Sequence, residues 1–209
     1  MNDQKEVRLT EGRPEHVDEV VPLIWQTSPR FFSFLYDNRP KVRDAIIAAS
    51  WKATESILSH SFSTVAYLGD KLVGVLISYE KAVKKQQEFA MKQVAAPFSD
   101  QALREHVASI QSIMLNKSPL VPADAYYVTI LSVSEGAQGS GVGVKLLRHA
   151  YETAKQLGCK SVQLDTEADN PAVNFYTKAG MEVEIETRIP KYEELTTVPA
   201  NYRLVKELY

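Results

Sequence analysis

The stretch Gln138-Gly139-Ser140-Gly141-Val142-Gly143 sets three glycines at alternate positions just ahead of a helical pattern. The chemistry available to it is the holding of an anion. The first turn of a helix has no intrahelical acceptor for its N–H groups, and the aligned peptide dipoles add roughly half a positive charge there. Glycine lets a phosphate approach the backbone with no Cβ in the way. Residues 138–144 therefore read as a phosphate cradle. Three glycine-rich cradles compete. A Walker A loop needs Gly, four residues, then Gly-Lys-Ser/Thr; Gly143 is followed by Val144, and Lys145 by Leu146, so that reading fails. The dinucleotide fingerprint Gly-x-Gly-x-x-Gly finds Val144 or Leu146 where its third glycine belongs. Asp165, placed as a ribose-binding acid would be, favours that reading. The chain left after Gly143 is too short for the rest of such a sheet. The third pattern, Gln/Arg-x-x-Gly-x-Gly/Ala, is met at every fixed position by Gln138, Gly141 and Gly143.

The cradle needs a strand before it and a helix after it. Tyr126 to Val133 is rich in β-branched and aromatic residues and reads as the strand. Gly141 to Leu157 carries Val142, Leu146, Leu147, Ala150, Tyr151, Ala154 and Leu157 mostly at helical steps, with Gly158 as its cap. Ser161 to Thr166 reads as a second strand. Ahead of this unit, residues 5–10 suggest a short strand. Pro14 suits a helix start, and Val17, Val20, Val21 and Ile24 form a stripe that Pro22 should kink or split. A second helix is expected from Lys41 to about Leu58. Between the two lies Ser28-Pro29-Arg30-Phe31-Phe32-Ser33-Phe34-Leu35-Tyr36-Asp37, which reads as core packing, a dimer contact, or one wall of an acceptor pocket. Ser63–Leu68 and Lys71–Tyr79 read as a hairpin about Gly69-Asp70. Lys81 to Glu88 is charged. Ser99 to Leu115 reads as a helix capped by Ser99, with a stripe of Leu103, Val107, Ile110 and Met114. Glu182–Ile189 and Tyr202–Tyr209 alternate as strands, joined by a linker from Pro190 to Ala200.

Residues 126–181 resemble the coenzyme-A-binding core of the GNAT N-acetyltransferases. The cradle, then the strand 161–166, then Asn170-Pro171-Ala172-Val173-Asn174-Phe175-Tyr176-Thr177-Lys178-Ala179-Gly180-Met181 follow in that family's order. Met181 stands where phenylalanine is usual. The resemblance implies an α/β fold with a central mixed sheet, flanked by helices on both faces. It implies one N-acetyltransferase domain over residues 1–209. Within it, residues 81–125 form a helical insertion between the third and fourth strands, which would cover the acceptor site or make a subunit contact. It also implies that the strands ending at Val133 and Asp165 open a V that acetyl-CoA or CoA threads. On that layout Leu131, Ser132, Val133, Gln138, Gly139, Ser140, Gly141, Val142, Gly143 and Val144 bind the cofactor. Asn170 would contact its pantetheine arm, although it stands one residue closer to Tyr176 than the family spacing, and Asn174 could substitute. A backbone N–H near Val133 would polarise the thioester, and Tyr176 would protonate the leaving thiolate.

Acetyl transfer to an amine also requires the amine to lose a proton. A lysine-like ammonium of pKa about 10.4 makes that cost about 4–5 kcal/mol at pH 7, which a base or a water chain must handle. Family members often use a carboxylate on the strand at 126–133, and this strand has none. Tyr127, sharing strand parity with Val133, is the first alternative, directly or through an ordered water. Glu80 is the second. Glu135 reads as solvated surface and Asp165 as a strand-end residue.

The chain has 209 residues with net charge -2, 44% hydrophobic and 24% charged. Such a balance gives no footprint for nucleic acid or for an anionic membrane. There is no apolar run long enough to span a bilayer. Met1 to Glu6 is polar, so no signal peptide is expected. A lone Cys159 fits a reducing, cytoplasmic setting and reads as inert. His16, His60, His106 and His149 lack metal-ligand spacing, so no metal is expected. The sequence thus points to acetyl transfer from acetyl-CoA to a small-molecule or peptide amine, by a possible homodimer. A non-catalytic acyl-CoA sensor or scaffold is the alternative.

Overall fold

The computed structural model describes residues 6–208, with side chains throughout except at residues 82, 84–87 and 89. Its strands are β1 (Val7–Glu11), β2 (Ser63–Leu68), β3 (Lys71–Glu80), β4 (Ala125–Val133), β5 (Ser161–Glu167), β6 (Glu182–Thr187) and β7 (Asn201–Glu207). Its helices are α1 (Val17–Trp25), α2 (Pro29–Leu35), α3 (Pro40–Lys52), α4 (Lys81–Ala95), α5 (Gln101–Ser109), α6 (Gln111–Asn116), α7 (Val142–Gln156), α8 (Ala172–Lys178) and α9 (Pro190–Thr196). The strands form one seven-stranded sheet in the order β1-β2-β3-β4-β5-β7-β6. Only β4 and β5 pair in parallel. The remaining pairs are antiparallel. This is the mixed sheet with helices on both faces that the sequence implies.

Each face of the sheet has its own core. On one face α1 and α3 bring Val20, Leu23, Ile24, Ile46, Ile47 and Trp51 onto Val75, Ile77, Tyr79, Tyr127 and Ile130. On the other, α7 lays Val142, Leu146, Leu147, Ala150 and Ala154 onto Leu76, Tyr126, Val128, Val162 and Leu164. The helix sits close. A Cβ at Gly74 would stand 3.0 Å from Val142 Cγ1 and 3.1 Å from a Leu146 methyl. Gly74 pairs with Val133, so this close approach fixes the start of α7 beside the end of β4. Truncating Leu146, which is fully buried, to alanine would cost about 2–5 kcal/mol by cavity formation.

Two irregularities in β4 shape the sheet around the glycine turn. Ile77 pairs with Ile130 and Ser78 with Val128, so Thr129 is an extra residue, a β-bulge. Pairing with β5 covers only Ala125–Val128 against Ser161–Leu164. Beyond those pairs both strands continue, to Val133 and Glu167, without pairing to each other. The two strands splay into a V.

Several expected boundaries shift for local reasons. α1 runs unbroken through Pro22. α3 stops at Lys52 rather than near Leu58, because Ala53 turns extended at ψ 142°. The expected single helix from Ser99 is two, broken at Ile110, and Asp100 is its cap: Asp100 Oδ1 accepts from the Leu103 N–H at 2.8 Å. The Ser99 hydroxyl turns back to the Ala95 carbonyl instead. The aromatic stretch after Ser28 is α2, with Phe32 and Phe34 buried. The linker between β6 and β7 contains α9, which packs Tyr192 against Phe34. Gly158, at φ 74°, ends α7: Cys159 N–H bonds to the Ala154 carbonyl and Gly158 N–H to that of Lys155.

Candidate active site

The turn before α7 is held open by backbone conformation. Gly139 and Gly141 adopt φ of 79° and 86°, a region that L side chains enter only at a cost. A Cβ on either would meet nothing within 4 Å. Their glycine identity therefore answers to conformation and leaves an open face. Ser140 N–H and hydroxyl both bond to the Ala137 carbonyl, which closes the turn. Lys145 N–H makes the first helical bond, to the Gly141 carbonyl, so the N–H groups of Val142, Gly143 and Val144 have no intrahelical acceptor. Gly143 differs: a Cβ there would stand 3.4 Å from Phe175 and 3.7 Å from Val133. Its bareness lets α8 and the end of β4 meet over the turn. Val142 is buried, while Gln138, Ser140 and Val144 are exposed.

The V opens directly beside this turn. Val133 presents its carbonyl to Gln26 Nε2 at 2.8 Å and to Gln138 Nε2 at 3.3 Å. That carbonyl therefore points away from β3. By the alternation of an antiparallel strand, the N–H groups of Val133 and Leu131 lie on the same open edge. The buried hydroxyl of Ser132 lies on the opposite face and accepts from Gln26 at 2.6 Å.

The closed end of the V is pinned by a buried ion pair. The Arg203 guanidinium bonds both Asp165 oxygens, Gln163 Oε1 at 3.0 Å and the Pro119 carbonyl at 2.8 Å. Its side chain is 1% exposed and that of Asp165 is 7%. Tyr127 donates to Asp165 Oδ2 at 2.8 Å. Asp165 is the first residue of β5 beyond the pairing with β4. The open end carries a second cluster. Ser28 donates to Glu167, and Arg30 bonds both Glu167 and Asp169. The segment 26–30 thus bridges the V, with Gln26 on the β4 side and Ser28 and Arg30 on the β5 side.

The sequence-predicted residues fare differently. Gln138 to Val144, Leu131 and Val133 come together at one place, whereas the Ser132 hydroxyl turns to the opposite face, against Gln26. Tyr127 does not join them: the bulge at Thr129 breaks the assumed parity. Tyr127 lies in the core under α1 and α3, whereas Val133 packs on the α7 face. Burial, and then the Asp165 carboxylate, raise the Tyr127 pKa well above the usual tyrosine value, so its hydroxyl is a proton donor at neutral pH. Glu80 pairs with Tyr126 at the closed end of the V, and Glu135 is exposed. Tyr176 is buried beside Phe175 and near Tyr151, and burial raises its pKa. It therefore stays protonated. Asn170 is engaged: Oδ1 accepts from Ala172 N–H at 2.9 Å and Nδ2 donates to the Thr27 carbonyl at 3.4 Å. Asn174 is exposed on α8. Gln26, Glu167 and Arg203 stand in no spaced motif that the sequence could mark, and Ser28 and Arg30 stand out only as part of the aromatic stretch 28–37 that could wall an acceptor pocket. The one available signal was Arg203 at an inward-facing position of an alternating strand.

Among the described residues no helix is long and apolar enough to cross a membrane, and no three His, Cys, Asp or Glu gather as metal ligands.

A family model, Acetyltransferase (GNAT) family, matches residues 18–181. No curated protein matches the chain. Solved structures are similar in fold. An N-acetyltransferase from Staphylococcus aureus Mu50 has 15% identity and a TM-score of 0.74, covering 95% of this chain and 100% of its own. A Bacillus subtilis acetyltransferase in complex with CoA has 16% identity and a TM-score of 0.57, covering 98% and 100%. A mosquito arylalkylamine N-acetyltransferase like 5b has 20% identity and a TM-score of 0.58, covering 97% and 100%.

Proposed function

Because this chain belongs to the GNAT acetyltransferase family, we propose that it moves an acetyl group from acetyl-CoA to a primary amine by direct attack. The observation that carries this reading is the V between β4 and β5, opening beside the bare N–H groups of α7. The pyrophosphate rests on the turn Gln138–Val144. The pantetheine arm enters the V along the open edge of Leu131 and Val133, displacing the side-chain amides that now cap the Val133 carbonyl. The Val133 N–H polarises the thioester, a preorganised donor of the kind that contributes about 2.7–4 kcal/mol. Asn174, exposed on α8, takes the pantetheine contact, since Asn170 is spent on Thr27 and Ala172.

The amine nitrogen attacks the carbonyl carbon, the C–S bond breaks, the thiolate takes a proton from Tyr176, and the proton that the nitrogen sheds as the amide forms returns to Tyr176 through water. Tyr127 and Glu80 do not serve as base: the first is a buried proton donor and the second stands at the closed end of the V. The ammonium proton leaves through water in the open V. The lack of a β4 carboxylate favours a second reading, a non-catalytic acyl-CoA sensor.

Thermal unfolding with acetyl-CoA, CoA, NAD and ATP in parallel tests the cofactor. A ligand at 100 times its dissociation constant adds about 2.7 kcal/mol, or about 5–10 °C for a chain of this size. A shift with both CoA species and none with NAD is expected. A shift with NAD alone would overturn the proposal. Release of free thiol across a panel of amines then separates the enzyme from the sensor, which would bind CoA and acetylate nothing.

A further inference from the structure

The segment leaving α6, Lys117-Ser118-Pro119-Leu120-Val121, is strapped across the closed end of the V. The Pro119 carbonyl takes the same Arg203 nitrogen that bonds Asp165. Val121 is buried in the core, while Leu120 is 91% exposed. Two residues ahead of Pro119, the Lys117 ammonium lies 4.7 Å from the centre of the Phe31 ring and 5.9 Å from that of Tyr192. Phe31 follows Arg30 on α2, at the bridge over the V, and Tyr192 stands on α9. Both ring centres lie within cation–aromatic reach of the one ammonium. Tyr192 is 1% exposed, and its hydroxyl is buried with no hydrogen-bond partner among the described residues. So is Oδ1 of Asn201, the residue paired with Glu167 across β7 and β5. Buried orphan groups of this kind are costly and usually meet a partner. Glu167, the partner of Asn201 in the sheet, holds Ser28 and Arg30 of that bridge.

We infer that Phe31 and Tyr192 form the recognition notch for a cationic acceptor, an alkylammonium, and that Lys117 of the chain itself occupies this notch until an acceptor displaces it. The inference rests on the acetyl-transfer reading for the word acceptor, but the notch itself is a binding claim. Aromatic faces hold ammonium groups without forming a directional bond. Lys117 is tethered by a flexible four-carbon stem, so it can leave without disturbing Pro119 or Val121. An amine whose second cationic group reaches the notch would carry its reacting nitrogen toward Val133. The substrate class this selects is a diamine or a peptide carrying a lysine beside its reacting amine.

The test separates the two claims. Tetraethylammonium, which cannot be acetylated, is titrated calorimetrically into the CoA-loaded wild type, Lys117→Ala and Lys117→Arg. The alanine variant, its notch emptied, is expected to bind about three- to tenfold tighter than wild type, the range of one broken cation–aromatic contact. The arginine variant, still cationic, gains nothing. Equal affinity in wild type and Lys117→Ala, an equal gain in both variants, or no binding to any of the three would overturn the notch. Melting points with and without acetyl-CoA are read on the same samples. If acetyl-CoA shifts none of them, the acetyl-transfer reading fails, and the tetraethylammonium titration of the unloaded proteins still decides the notch.

Discussion

Replacing Arg203 by methionine removes a guanidinium that is sealed from solvent and bonded on every side. Methionine keeps the aliphatic volume, so little cavity is made. What remains is the Asp165 carboxylate with only the Tyr127 hydroxyl, and the acceptors Gln163 Oε1 and the Pro119 carbonyl with nothing from Arg203. Removing one partner of a buried ion pair costs about 3–5 kcal/mol, because the other charge stays buried. At about 2–4 °C per kcal/mol for a chain of this length, the midpoint should fall by about 6–20 °C. The assay is calorimetric or urea unfolding at neutral pH. The double variant Arg203→Met with Asp165→Leu removes both charges and should be more stable than Arg203→Met alone. The two positions should couple by more than about 1 kcal/mol in a double-mutant cycle. A fall of less than about 2 °C in the single variant, with additive effects in the cycle, would refute the reasoning. It would mean that water reaches the pair and screens it.

Three further outcomes are expected. Gly141→Ala should lose about 1–2 kcal/mol from the left-handed backbone alone, since no atom crowds its Cβ, and should lose the melting shift given by CoA; an unchanged shift would move the phosphate site elsewhere. Tyr176→Phe should keep that shift while kcat falls about 100-fold or more; an unchanged kcat would remove Tyr176 from the proton path. Asp169 is held below the usual carboxylate value of 3.8, chiefly by its hydrogen bond from Arg30. Its contribution is therefore present above pH 3.8 and lost as pH falls through the lower folded value. Acid titration of unfolding should show wild type losing stability more steeply than Asp169→Asn below about pH 4; parallel curves would show that the pair stabilises nothing.

The turn and the start of α7 were legible because conformation and sequence coincide there: Gly139 and Gly141 stand where φ is positive, and the apolar stripe begins at Val142. The sheet was legible from β-branched runs. The bulge was not. Tyr-Val-Thr-Ile suits a regular strand as well as a bulged one, and only the pairing with β3 reveals that Thr129 is extra. That one residue moved Tyr127 off the face to which strict alternation assigns it. Helix α9 was hidden because Pro190, Lys191, Glu193 and Glu194 read as polar linker, while its stability comes from a distant contact of Tyr192 with Phe34. The break at Ile110 has the same cause: Ile110 and Ile113 turn toward the third core, around Phe34 and Tyr192. The bridge of Gln26, Ser28 and Arg30 uses long-range partners that no local pattern encodes.

The short run of pairing between β4 and β5 has a mechanical meaning. The sheet consists of two half-sheets, β1 to β4 and β5 with β7 and β6, stitched along a seam of four residue pairs. Every other strand junction in the sheet has at least five. The seam is the line along which the molecule can flex, and the Tyr127–Asp165–Arg203 lock is the rivet at its end. Motions that change the angle between the halves change the width of the gap without disturbing either core. A molecule lying in the gap would act as additional stitching and stiffen the whole sheet. Amide exchange at Leu131 and Val133 would report that stiffness directly.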